Sequence, residues 1–173
     1  AGADIKTLFS APKDELSKLL ELGQRVFDRL AALKIPTVAA IHGACAGGGC
    51  ELALACDWRV LARDAYLYVP EVKIGLNLQW GALPRLVTLV GPARAKRIIL
   101  LCEKMEPEHA LDWGLIDEIA DSGQTVTVAS DMARTAASMP AATTRMVKEA
   151  VNATANALHR ASSFADADQS ALS

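Results

Sequence analysis

Between Pro12 and Leu33 the apolar side chains Leu16, Leu19, Leu20, Val26, Phe27, Leu30 and Leu33 recur at steps of three and four, with lysines and carboxylates on the opposite face. That period predicts an amphipathic helix, and Ser10 and Pro12 suit its start. Ile35-Pro36 then breaks it, since proline cannot continue a helix. TVAAI (37–41) reads as a short buried strand and CELALAC (50–56) as a buried helix, with the glycine-rich passage GACAGGG (43–49) between them. WRVLA (58–62) and YLYV (66–69) are strand-like and joined by a turn at Arg63-Asp64.

Gly91-Pro92 opens another helix, ARAKRIILL, and Pro107 begins one that stops at Gly114. LIDEIA (115–120) is a brief strand. From about Gln124 to Ser173 Ala, Met and Thr dominate at helical spacing, divided at Pro140. Strands alternating with helices predict an α/β fold followed by a helical tail, and a tail this short should pack on something, such as another subunit. The expected division is a core over 1–122 and a helical region over 123–173.

Length and charge narrow the class. The chain has 173 residues, 51% hydrophobic, with 18 basic against 20 acidic side chains. That is enough chain for one domain with a real core. A net charge of −2 lacks the basic stripe of a nucleic-acid binder. No run of about 18 apolar residues suggests a membrane span. A compact, soluble, intracellular protein is the expectation. AGADIK at the start has neither methionine nor signal sequence and reads as the interior of a fold. The Ala- and Arg-rich composition points to a bacterial cytoplasm, with the mitochondrial matrix left open.

Cys45, Cys50, Cys56 and Cys102 are too few for a disulfide scaffold, and their spacing lacks the paired pattern of a zinc site. They read as small packing residues. His42, His109 and His159 lie far apart and read as structural, and no metal is expected.

Chemistry concentrates in IHGACAGGGCELALACD (41–57). Consecutive glycines let a backbone approach a ligand closely. They also leave the first helix amides unpaired, a place that attracts an anion or oxyanion. No Lys follows, so a phosphate loop does not fit, and tight helix–strand packing alone would account for the glycines. Glu51, in the first turn of an otherwise apolar helix, sits beside those amides; as a plain structural residue it would complement the helix dipole. Glu71 follows Pro70 and would otherwise be a solvated loop residue. Two carboxylates in one pocket can divide general acid and general base roles.

Together, AGADIK, the Pro36-to-Gly43 approach, AGGGCELALACD, and Pro70-Glu71 twenty residues past Glu51 resemble the crotonase superfamily, more narrowly the enoyl-CoA hydratases. GPARAK, the pattern at Ala110–Leu115 and VNA at 151–153 extend the likeness to about Gln169. The resemblance implies a partial crotonase-like ββα spiral, lacking its N-terminal strands, with a C-terminal helical oligomerisation region over 123–173. It implies a homotrimer or dimer of trimers, and an acyl-CoA thioester as substrate, with CoA arriving as part of it and no other cofactor. It makes the Ala3 and Gly48 amides the oxyanion hole, a device worth about 10²–10³ in rate per donor. It makes Glu51 the residue that activates water for attack at Cβ and Glu71 the one that protonates Cα. It sets Gly2, Asp4, Ile5, Gly47, Gly49, Pro70, Gln79 and Trp80 against the substrate.

The family often has Pro-Gly-x-Gly-Gly where this chain reads Leu78-Gln79-Trp80-Gly81-Ala82. Gln79 and Trp80 add bulk there, which either reshapes the acyl pocket or is ordinary packing variation. The chain is expected to be a piece that omits strands before it and a last helix after it. Three functions stand at this point: a hydratase using both carboxylates, a double-bond isomerase or another crotonase reaction, and a non-catalytic crotonase-like scaffold working through its oligomer surface.

Overall fold

The computed structural model describes residues 12–157. Helix α1 (Lys13–Ala31) leads into β1 (Val38–Ile41), β2 (Ala44–Ala46) and α2 (Gly48–Leu54). There follow β3 (Trp58–Ala62), β4 (Tyr66–Tyr68), a 3₁₀ turn (Glu71–Ile74) and α3 (Ala82–Leu100). Helix α4 (Pro107–Asp112), β5 (Glu118–Ala120), α5 (Thr125–Ala137) and α6 (Ala141–Ala155) complete it.

The strands form two parallel sheets, one in the order β1-β3-β5 and one pairing β2 with β4. Each strand of the first sheet that is followed by a short turn feeds one of the second, and a helical segment comes next. This ββα order occurs twice, as β1-β2-α2 and as β3-β4 with the 3₁₀ turn and α3: it is the expected α/β spiral. The turn at Arg63-Asp64 carries the chain between sheets, so β3 and β4 pair with other strands and not with each other. β2 falls inside the passage read as glycine-rich loop, where ACA is too short to show a period of two.

β3 is central, and Val60, Leu61 and Ala62 are completely buried. A near-continuous apolar run is what a parallel strand covered on both faces requires. From β3 one core spreads through Ile41, Leu54, Leu67, Leu86, Ile98 and Trp113. On the other face Val128, Ala129 and Met132 of α5 pack over Val38, Ala40, Val60 and Ala120.

The long helix differs from expectation. α3 already begins at Ala82, after left-handed Gly81, and is kinked at Gly91 (φ +78°, ψ 163°) before Pro92. Non-helical Gly91 divides α3 into two helical halves, so Pro92 opens the second half as expected and only the first half, from Ala82, is new. Proline removes a helical hydrogen bond and crowds the preceding turn, which accounts for the kink. Pro107 and Pro140 do begin or precede helices as expected.

Arg59 is the exception in the apolar strand, only 2% exposed. Its Nε donates to the Leu115 carbonyl (2.8 Å), its Nη1 to the Cys56 carbonyl (3.0 Å) and its Nη2 to Asp117 Oδ2 (3.0 Å). It thereby ties the end of α2 to the segment entering β5. Arg59→Met should lower unfolding stability by about 1–3 kcal/mol, because the Leu115 and Cys56 carbonyls lose their donor while Asp117, a third exposed, keeps the Arg59 backbone N–H (2.8 Å). Urea unfolding of the variant beside the native protein measures this; a loss below about 1 kcal/mol would place Arg59 among weak surface pairs.

Lys148 pins α6 in a similar way. Its Nζ reaches Asp57 Oδ2 (2.6 Å) and the Ile35 carbonyl (2.8 Å). The same Asp57 oxygen accepts from the Thr37 N–H (2.7 Å). Among the described residues no helix is long and apolar enough to cross a membrane.

Candidate active site

The site is built around the three glycines. Gly47 adopts φ +51°, ψ −123°, a conformation suited to glycine. Its N–H donates to the Tyr68 carbonyl (3.0 Å), which docks the turn on the end of β4. α2 then starts at Gly48, and the Glu51 N–H closes its first turn on the Gly47 carbonyl (3.1 Å). The Gly48, Gly49 and Cys50 amides precede that bond, so helix geometry gives them no partner within α2.

Glu51 lies in this first turn and is only 5% exposed. The Gln79 backbone N–H donates to its Oε1 at 3.0 Å. The bond comes from the loop entering α3, so two distant stretches of chain meet at one oxygen.

Glu71 opens the 3₁₀ turn behind Pro70, and the turn ends on left-handed Gly75 (φ +74°). The Lys73 N–H donates to the Pro70 carbonyl (2.9 Å), which turns the chain so that Glu71 points inward. Its side chain is buried, and Oε2 has no hydrogen-bond partner among the described residues. Burial raises its pKa above the ordinary carboxyl value, partly offset by a hydrogen bond from its own backbone. A Cβ placed on Gly47 would stand 2.8 Å from Glu71 Oε1. The Glu71 carboxyl therefore rests against Gly47, and Gly47 in turn holds Glu51 through its carbonyl. Glu71 thus meets Gly47 through its carboxyl and Glu51 meets it through its main chain, while the Glu51 carboxylate is turned to the Gln79 amide.

Both acids are buried; Glu51 accepts an amide proton from the loop before α3, and Glu71 Oε2 has no hydrogen-bond partner among the described residues.

The remaining expected residues are placed as follows. Gly49 is the second residue of α2, and Pro70 precedes the 3₁₀ turn. Gln79 meets Glu51 through its main chain, which residue type could not reveal. Trp80 turns to α1, where its ring stacks on Phe27 at 4.9 Å and its Nε1–H donates to the Leu20 carbonyl (3.0 Å). Ala3, with Gly2, Asp4 and Ile5, lies outside the described residues, as does His159.

His42 is exposed, and His109 packs edge-on against Trp113 at 4.2 Å. Cys50 is buried with its thiol on the Cys45 carbonyl (2.8 Å), a strand–helix packing contact. Its thiol pKa is pushed up, first by the neighbouring Cys45 thiol and then by burial. Arg85 was not singled out by sequence. Its Nη1 donates to the Trp80 carbonyl (2.7 Å), and its charge acts on Glu51.

Comparison with known proteins gives a consistent result. The family model described as enoyl-CoA hydratase/isomerase matches residues 1–172. A short-chain-enoyl-CoA hydratase of Clostridium acetobutylicum is 34% identical over 152 residues, 88% of this chain and 58% of that protein. A fatty acid oxidation complex subunit alpha of Shewanella putrefaciens is 44% identical over 136 residues, 77% of this chain and 19% of that one. Among solved structures, DspI of Pseudomonas aeruginosa superimposes with a TM-score of 0.84 at 34% identity, covering 88% of this chain and 62% of that chain. An enoyl-CoA hydratase from Bacillus anthracis gives 0.83 at 30%, covering 87% and 58%. The chain thus spans less than two thirds of the length of these relatives.

Proposed function

The chain belongs to the enoyl-CoA hydratase/isomerase family, and from that premise we propose that the whole protein adds water across the 2,3-double bond of an acyl-CoA thioester. The observation that supports this reading is that two buried acids both touch Gly47, Glu51 through its backbone N–H and Glu71 through its carboxyl, whose Oε2 has no hydrogen-bond partner among the described residues.

The substrate carbonyl oxygen sits on the Gly48 amide, with the Ala3 amide as the second donor. Fixed N–H groups need no reorganisation as negative charge grows on that oxygen, so they favour the enolate more than the thioester. Glu51 takes a proton from water as its oxygen bonds to Cβ. The electron pair of the double bond moves to Cα and onto the carbonyl oxygen. Glu71, inclined by burial to hold its proton, delivers it to Cα. The product is a 3-hydroxyacyl-CoA; the proton gained by Glu51 and the one lost by Glu71 are balanced through the next water.

Gly47, Gly49 and Pro70 shape the turn that carries these groups. Exposed Met146, Val147 and Val151 on α6 support a role for residues 123–173 in a homotrimer or dimer of trimers.

Offering the whole protein a panel of 2-enoyl- and 3-enoyl-CoA thioesters tests the reaction. The expected product from a 2-enoyl thioester is heavier by one water. A product of unchanged mass with a shifted double bond would make the protein an isomerase. Acyl-CoA binding without turnover would make it a scaffold.

A further inference from the structure

Trp80 is one of two non-glycine residues with a positive φ among those described, at +56°. A large aromatic residue does not choose that backbone by itself, so something must hold it. Its indole supplies the hold. A Cβ on Gly23 of α1 would fall 2.5 Å from the indole Nε1, so the ring occupies a notch that exists because residue 23 has no side chain. Phe27, one helical turn along, stacks on the same ring, and the Leu20 carbonyl takes its N–H. From the other side Arg85 donates to the Trp80 carbonyl and reaches Asp28 of α1 (3.4 Å).

The residue immediately before Trp80 is the one whose amide holds Glu51. We propose that Trp80 is a positioning residue: seated over Gly23, it locks the 79–81 backbone so that the Gln79 amide stays on the Glu51 carboxylate, and so makes α1 part of the acid–base machinery. This rests on the reading of Glu51 as the base. It gives the bulk at position 80 a definite use, and it accounts for a glycine in the middle of an otherwise ordinary helix.

Gly23 offers the cleaner test, because it lies away from the glycine turn and in a helix where alanine is normally the better residue. Gly23→Ala should expel the indole while leaving α1 helical. In the whole protein it is expected to lower kcat on a 2-enoyl-CoA at least tenfold, with KM changed less than threefold and the circular dichroism unchanged. Trp80→Ala should do the same. Trp80→Gly should not recover the loss, since glycine supplies the backbone angle without the anchor. Trp80→Phe, which keeps the stack, should recover most of it.

Hydrogen exchange at the Gln79 amide gives a second readout that needs no turnover. Exchange should quicken at least tenfold in Gly23→Ala and Trp80→Ala and stay near native in Trp80→Phe. Native kcat and native Gln79 protection in Gly23→Ala would overturn the inference, as would full recovery in Trp80→Gly. A native protein that fails to hydrate any enoyl thioester would sink the proposed function instead, and the exchange comparison would still decide whether Trp80 controls the Gln79 amide.

Discussion

Glu71→Gln in the whole protein is expected to lower kcat for hydration by about 10²–10⁴-fold, the usual worth of a positioned acid or base, while KM for the acyl-CoA changes only a few-fold. The glutamine keeps the shape of the side chain against Gly47 but cannot give up a proton. Glu51→Gln should lose a similar amount for the opposite reason, because an amide cannot accept the proton of the attacking water. Steady-state kinetics on one 2-enoyl-CoA separates the two parameters; undiminished turnover in either variant would remove that residue from the mechanism.

Stability should move the other way at Glu71. Burial raises its pKa, and Oε2 has no hydrogen-bond partner among the described residues, so the folded protein holds that proton more tightly than the unfolded chain does. Between the unfolded value and the raised folded value, stability therefore falls as pH rises. Above the raised value the full cost of a buried charge is present. Glu71→Gln removes it, so the variant should melt higher than native protein near neutrality, and the advantage should vanish at acid pH below both values. A less active but more stable variant is the mark of a group kept for chemistry. The same shift predicts that native kcat declines as pH rises through the Glu71 pKa, since the acid form is the one required.

Gly47→Ala is expected to be the most damaging single-methyl change. The backbone there (φ +51°, ψ −123°) is strained for any residue with a Cβ, at about 1–3 kcal/mol. The new methyl would also stand 2.8 Å from Glu71 Oε1, so the carboxyl must move. Displacement of a reacting group by about 1 Å can lower turnover about 10²-fold. Activity should thus fall at least that far, together with a lower melting temperature. Gly43→Ala is the control: Gly43 also has a positive φ (+63°), but its Cβ would meet nothing within 4 Å among the described residues. It should lose stability with little loss of kcat. Equal kcat losses at both positions would mean that backbone strain, and not contact with Glu71, governs the effect.

Much of this was legible along the chain. Apolar runs gave β1, β3 and β4, and the prolines and glycines gave most helix limits, because these depend on local sterics and period. The motif from Gly47 to Glu51 and the later Glu71 singled out the candidate chemistry before any coordinates. β2 was not legible, since three small residues carry no pattern. Neither was the first half of α3, whose start depends on left-handed Trp80 and Gly81. Arg59 read as an ordinary residue in a strand, yet its partners lie up to 58 positions away.

By itself, then, the order of residues determined the α/β class, which follows from local preferences and short spacings, while its resemblance to a known family gave the spiral and the candidate acids and glycines. Only the tertiary structure decided that Glu71 is dry and lies on Gly47, that a main-chain amide of residue 79 holds Glu51, and that Trp80 turns to Gly23. Those facts depend on where distant backbone segments meet. Burial and hydrogen bonding across twenty to sixty positions are set by the packed whole and leave no mark in any one segment.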